Sequence, residues 1–336
     1  MRTPGRLLPL LAVAVLPVFA TRSAAPAAAH AAAVHAAAAH AAAVHAAAAH
    51  AAAAHAPAAH APAAHAPARP GAAACDPTAS LRPAGPPQVT SGSFMARIRA
   101  RGYLIAGVDQ NTYHFGYLNP FDGQIEGFDV DMVHQIAAAI FGDPNKVHFK
   151  AITDAQRIPV TTSGAVDIVA HTMTITCARL QQVDFSTVYY DAGQRVLVES
   201  GSRVAQIGDL GGKKVCATTG SDSLANIAAA PGHPIPVAAP YWTDCLVLLQ
   251  EGGVSAISTD DSILVGLAAQ DPYTRIVGPR FTDEPYGLAI SAQHPDFVRF
   301  VNAVLAQIRG NGQWAASYAH WIGTPVPPPP PAHYKD

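Results

Sequence analysis

Arg179, Thr174 and Asp260 are residue types that together suit the recognition of a small zwitterion. A carboxylate and an ammonium removed from water must both find partners, because an unpaired buried charge costs several kcal/mol. The guanidinium of Arg179 offers a carboxylate two parallel donors, Thr174 adds a hydroxyl, and Asp260 supplies the anion for an ammonium. The polar positions that surround them are Asp109, the run Thr172-Met173-Thr174-Ile175-Thr176-Cys177-Ala178-Arg179, the turn Thr218-Thr219-Gly220-Ser221-Asp222-Ser223, and Thr259-Asp260-Asp261. Helix-start amides in such turns add donors for an anion. His171 next to Thr172, with Asp260, permits a second chemistry, general acid–base catalysis. No activated nucleophile accompanies that pair, and His171 is read as lining or supporting a pocket. Gly211-Gly212-Lys213-Lys214 lacks the P-loop pattern, and Asp167 and Asp184 are read as structural. No cofactor motif or metal-ligand spacing is present, so neither a cofactor nor a metal is expected.

The elements that must position these residues follow from apolar periodicity. A helix over 95–101, a strand over 103–108 ending at Asp109, a helix over 128–141 closed by Gly142 and a strand over 147–152 come first. A helix over 155–163 leads through Gly164 to a strand over 166–170. The rhythm restarts after Ser200, with strands over 214–217, 237–239 and 254–258 and helices over 222–229, 243–250 and 261–269. A strand over 286–291 and helices over 297–309 and 314–321 end the ordered part. Alternating strands and helices predict an α/β protein with mostly parallel sheets covered on both faces, and two such units predict two lobes. In open sheets of this kind ligands bind beyond the carboxyl ends of the strands, where the polar runs fall.

Composition limits the partners. Half of the 336 residues are hydrophobic, 13% are charged and the formal net charge is −2, so no basic field exists to hold a nucleic acid. Residues 1–20 join Arg2 and Arg6 to an apolar stretch ending Val18-Phe19-Ala20, which is read as a cleaved export signal and implies an oxidising compartment. Residues 21–74 form an Ala/His/Pro tract with histidines every fifth position from His30 to His65. A five-residue step turns about 140° around a helix, so the histidines do not stack into a chelating face. With no large side chains to bury, the tract is read as a passive spacer rather than a metal binder or an acid-charged tail. The four cysteines allow three pairings, and two disulfides are expected of an exported chain. The terminal 324–336 are read as a proline-rich disordered tail that cannot join a core.

The blocks Gly164-Ala165-Val166-Asp167-Ile168-Val169, Thr174-Ile175-Thr176, Arg179, Val183-Asp184-Phe185-Ser186 and Tyr189 closely resemble the signature of the family 3 extracellular solute-binding proteins. Gly127-Phe128-Asp129-Val130-Asp131, Ser258-Thr259-Asp260-Asp261 and Glu284-Pro285-Tyr286-Gly287 agree in the same order, so the resemblance covers 76–322. It is similar within that family to glutamine- and glutamate-binding members from actinobacteria. The resemblance implies a type II periplasmic-binding-protein-like fold, with lobe 1 at 75–192 and 286–323, lobe 2 at 193–285, and crossing strands around 191–195 and 283–286. It implies a monomer that closes around a polar amino acid and hands it to an ABC permease, or reports it to a membrane-bound sensor, and that is not an enzyme.

Carried over by position, Arg179 clamps the α-carboxylate, Thr174 and Ser221 add hydrogen bonds, Thr172 contributes through its backbone, and Asp260 holds the α-ammonium. Asp109 belongs to the same ligand set. Arg157, in Gln156-Arg157-Ile158-Pro159, is expected to meet a distal carboxylate and so to favour glutamate or aspartate over glutamine or asparagine. Thr218 stands where glutamine-specific members place a lysine, a departure in the same direction. Tyr113 or Phe115 is expected to wall the ligand's aliphatic part. The resemblance also pairs Cys216 with Cys245 and Cys75 with Cys177. No cysteine follows the apolar signal stretch as the lipobox of related lipoproteins requires.

Overall fold

The computed structural model describes residues 75–336; the export signal and the Ala/His/Pro tract lie outside the described residues. In chain order the elements are β1 (Ala79–Ser80), α1 (Phe94–Arg101), β2 (Leu104–Val108), β3 (Asn111–Thr112), β4 (Gly116–Leu118), β5 (Ile125–Glu126), α2 (Phe128–Phe141), β6 (Val147–Ala151), α3 (Arg157–Thr162) and β7 (Ile168–Ala170). Then follow β8 (Asp184–Phe185), β9 (Tyr190–Ala192), β10 (Gln194–Glu199), β11 (Lys214–Thr218), α4 (Ser223–Ala229), β12 (Ile235–Ala239), α5 (Trp242–Gln250), β13 (Ala256–Asp260), α6 (Asp261–Gln270) and β14 (Thr274–Val277). The chain ends with β15 (Glu284–Tyr286), β16 (Ala289–Ile290), α7 (Pro295–Gly310), α8 (Gln313–Trp321) and β17 (His333–Tyr334).

Two five-stranded sheets make the two lobes. The first has strand order β6-β2-β7-β16-β8 and the second β12-β11-β13-β10-β14. Side chains alternate across β2 and β7 as the pleat requires. Leu104, Ala106, Val108, Ile168 and Ala170 enter a core shared with α2 and α7, whereas Ile105 and Val169 pack on the other face beneath α3. A separate core fills the second lobe, with Val196, Leu197, Val215, Ile257, Leu264 and Trp242 among its members. The lobes are joined by β9 and β15, which pair antiparallel in the register Glu284 to Ala192 and Tyr286 to Tyr190.

The expectation of mostly parallel sheets holds by strand direction, with one antiparallel strand inserted in each sheet. Within the two five-stranded sheets the β6-β2-β7 and β12-β11-β13 triplets pair in parallel; β16 lies antiparallel between β7 and β8, and β10 antiparallel between β13 and β14, so that β8 and β14 run with their triplets. The antiparallel members are strands that arrive from the crossing segments, a connection that local periodicity does not reveal. The single strand expected over 286–291 is two, β15 and β16, broken at Gly287, whose amide donates to Met173 O at 3.1 Å. A Cβ on Gly287 would stand 2.7 Å from the side chain of Ile175, so glycine is required for that close approach.

The expectation of a disordered proline-rich tail is also corrected. β17 pairs in parallel with β1, Lys335 N donates to Ser80 O at 2.9 Å, and Asp336 accepts from Arg82 N at 2.7 Å and pairs with Arg299. Val326 packs against the first core. The prolines need no partner along their extended length, and the donors that do need one are supplied only when His333-Tyr334-Lys335 reaches β1.

Candidate functional site

The site collects where strand ends and turns of the two lobes meet. From the first lobe come the end of β2 with Asp109, the turn over 152–157 after β6, and the segment 171–179 after β7. From the second come the turn 218–222 after β11, the end of β13 with Asp260, and the crossing strand β15.

Side chains of the first lobe meet the 218–222 turn of the second. Thr218 Oγ1 donates to Asp154 Oδ2 at 2.6 Å, Arg157 Nη2 donates to Gly220 O at 3.2 Å, and Arg179 Nη1 lies 3.3 Å from Asp222 Oδ2. Gly220 has φ +91°, and a Cβ there would stand 2.5 Å from Ala155 Cα. Glycine at the tip of the turn is therefore what lets the second lobe reach the first.

Arg179 Nη1 also donates to Thr174 O at 2.6 Å, and Nη2 to Gly220 O at 3.3 Å. Burial and the neighbouring Arg157 hold its pKa below the ordinary arginine value, with Asp222 opposing. Thr174 is buried and forms an isolated antiparallel bridge with Tyr286. Thr172 has φ +41°, an unusual conformation for a β-branched residue, fixed by its amide donating to Asp129 Oδ2 at 2.7 Å. Its Oγ1 is buried without a partner. Asp129 is held in turn by Tyr189 Oη at 2.6 Å, and burial pushes its pKa up to about 6 against these two donors.

Asp260 is buried at the end of β13 and accepts from Tyr286 Oη at 2.6 Å, which also meets Ser262 Oγ at 2.7 Å. Burial first, then Glu284 and Asp222, push its pKa well above the carboxylate range. Glu284, 3% exposed on β15, accepts from Thr282 Oγ1 at 2.6 Å and Asn226 Nδ2 at 3.1 Å while its Oε2 lacks a partner. Burial and the nearby Asp222 raise its pKa to about 7.

Three expected roles are redrawn by this geometry. Arg157 does not face outward as a free cation: Nη1 meets Asp154 Oδ1 at 2.8 Å and His171 O at 3.1 Å, Nε donates to Asp154 O at 3.1 Å, and Nη2 goes to Gly220 O. Every guanidinium nitrogen has a protein acceptor, so the arginine orders the loop around Asp154. Burial alone would raise Asp154, but Arg157 and His171 hold its pKa below the ordinary value. Phe115 is a core residue, 1% exposed and packed edge-on to Tyr190 at 5.0 Å and Phe128 at 5.9 Å. His171 does not pair with Asp260: its Nε2 lies 3.0 Å from Ile152 O, and its carboxylate neighbours are Asp154 at 3.7 Å and Asp109 at 3.9 Å.

Tyr113 stays partly exposed, with Gln110, Thr243 and Gln270, on a cavity of about 430 Å³. Its carbonyl oxygen would lie 2.8 Å from a Cβ on Gly266 of α6. Asp109 caps its own turn, accepting from Gln110 N at 2.7 Å, Asn111 N at 3.1 Å and Thr112 Oγ1. Ser221 Oγ donates to Thr218 O at 2.8 Å. The residues that sequence reasoning leaves without a role here are Asp154, Asp129, Asp222 and Glu284. Asp129, Asp222 and Glu284 stand inside runs already marked as polar or similar to the family, and that is the signal that pointed to them.

Both disulfides are formed. Cys216 and Cys245 join β11 to α5 inside the second core, with Cα atoms 5.5 Å apart. Cys75 and Cys177, with Cα atoms 6.1 Å apart, tie the first described residue to the loop that carries Arg179.

Two α/β lobes, two crossing strands and a polar cleft between them define a hinged solute receptor. The chain belongs to the bacterial extracellular solute-binding proteins, family 3, whose family profile matches residues 104–324. It is 38% identical over 229 residues to the ABC transporter glutamine-binding protein GlnH of Bacillus subtilis, covering 68% of this chain and 84% of that protein. It is 36% identical over 206 residues to a glutamine-binding protein of Geobacillus stearothermophilus, covering 61% and 79%. Among solved structures, an ancestral arginine-binding protein bound to glutamine superimposes with a TM-score of 0.62 at 33% identity, covering 67% of this chain and 99% of that one. Both disulfides and the family agree with the sequence reading.

Proposed function

We propose that the protein captures L-glutamine outside the cell for an ABC importer, as a binding protein without catalytic activity. The observation that carries this reading is the opposition of Arg179 on one lobe to Asp260 on the other, with Arg157 fully engaged by protein acceptors. Arg179 holds the α-carboxylate and Asp260 the α-ammonium, while Thr174, Thr172 and Ser221 complete the main-chain end of the ligand. Tyr113 is assigned to the ligand's side chain, and Asp109 holds the turn that carries it. Thr218 serves closure through Asp154. The two lobes divide near 192 and 286.

A carboxamide suits the cleft better than a second carboxylate. The acids Asp109, Asp154, Asp222, Asp260 and Glu284 gather at these loops, and no guanidinium among the described cleft residues is left free for a distal anion. A neutral amide adds no charge to that field, and its NH2 donates to it. The names of the two similar relatives support the same choice.

Calorimetry of the whole chain against glutamine, glutamate, aspartate, asparagine and arginine tests this. Glutamine should bind tightest, with a micromolar Kd or about −8 kcal/mol. Tighter binding of glutamate would overturn the amide preference, and silence across the panel would overturn the receptor reading.

A further inference from the structure

Asp222 is a residue of the cleft to which neither the family resemblance nor the ligand set gives a task. It stands at the start of α4, yet its side chain makes no capping bond to that helix. Its carboxylate instead turns across the cleft and meets Arg179 with both oxygens, Oδ2 at 3.3 Å from Nη1 and Oδ1 at 3.5 Å from Nη2. That fork-on-fork arrangement is the way a guanidinium receives a free carboxylate. The pair is largely enclosed, with the side chains of Arg179 and Asp222 11% and 26% exposed.

Resting on the reading of Arg179 as the α-carboxylate clamp, we propose that Asp222 is an internal carboxylate that holds Arg179 across the closed cleft and must yield its place to the ligand. One guanidinium cannot receive both carboxylates in this fork, and two carboxylates on one cation also repel each other. Asp222 thus closes the cleft on itself at a low amino-acid concentration and sets the threshold above which ligand displaces it. A ligand whose only contact with Arg179 is weaker than a bidentate carboxylate does not displace Asp222, so the residue also rejects amines and amides that lack an α-carboxylate.

The test uses the whole oxidised chain as wild type, Asp222→Asn and Asp222→Ser. Asparagine and serine both suit a helix start, so the fold is preserved, and thermal unfolding verifies it. Spin labels on the exposed positions Phe121 and Tyr273 report the distance between lobes without added amino acid. L-glutamine titration reports affinity. Both variants should show a wider or broader label distance than wild type when no amino acid is added, and should bind glutamine roughly tenfold more tightly. An unchanged label distance overturns the proposal whatever the ligand, and where the wild type binds glutamine, so does an affinity that stays the same or falls in the variants. If the wild type binds no amino acid but the variants still open, the latch stands and the glutamine-capture reading fails.

Discussion

Arg157 and Arg179 lie on neighbouring loops of the first lobe, and both donate to the same carbonyl oxygen, that of Gly220 on the second. They differ in where their acid comes from. Arg157 takes Asp154 three residues away on its own loop at 2.8 Å, and carbonyl groups complete its shell; its side chain is 3% exposed. Arg179 takes Asp222 from the opposite lobe at 3.3 Å and remains 11% exposed. An arginine paired within one rigid loop is part of the framework, because separating the pair strands a buried charge. An arginine whose partner sits across a hinge can exchange that partner when the hinge moves.

The largest effect that sharpens this contrast is on stability. Arg157→Ala should cost about 3–5 kcal/mol of unfolding free energy, since Asp154 is left buried without its cation. Urea denaturation measures it, and a loss below about 1 kcal/mol would break the distinction between the two loops. Arg179→Ala should do the reverse. Its unfolding midpoint should barely move, while glutamine binding weakens by about 2–5 kcal/mol in calorimetry because the ligand's carboxylate is stranded.

A smaller effect concerns the acid side of the cleft. The pKa of Glu284 in the folded protein is about 7, above its ordinary 4.5, so folding favours the protonated form. Its contribution is therefore fully present below about pH 4.5 and is lost as pH rises through 7. Glu284→Gln is neutral throughout, and relative to it the wild type should lose about 1–3 kcal/mol of stability between pH 5 and pH 8. Urea midpoints at the two pH values check this, and parallel pH profiles would show that the carboxylate is not held as described. The smallest effect is that of Thr218→Val, which removes one hydrogen bond between lobes, to Asp154 Oδ2. Glutamine affinity should fall by about 1 kcal/mol with no change in preference among amino acids.

Elements with an uninterrupted apolar period were legible in the sequence. The helix expected over 128–141 is α2, Phe128–Phe141, and the strand ending at Asp109 is β2, Leu104–Val108. The hairpin strands β3, β4 and β5 were not, since two or three residues carry no period, and neither was the pairing of β17 with β1 across more than 250 positions. In the site, Arg179, Thr174 and Asp260 could be named from residue type and order. The occupation of Arg157 and the burial of Phe115 could not, because both depend on what other segments bring to them.

By itself the sequence determined the α/β class, the two-lobe division and the family, because these follow from short-range periodicity and from blocks of residues in fixed order. Only the tertiary structure decided which charges are free. A guanidinium becomes framework or ligand clamp according to the acceptors around it, and for Arg157 and Arg179 the local ones, Asp154 and Thr174 O, are joined by Gly220 O and, for Arg179, Asp222 from a turn more than 40 positions away.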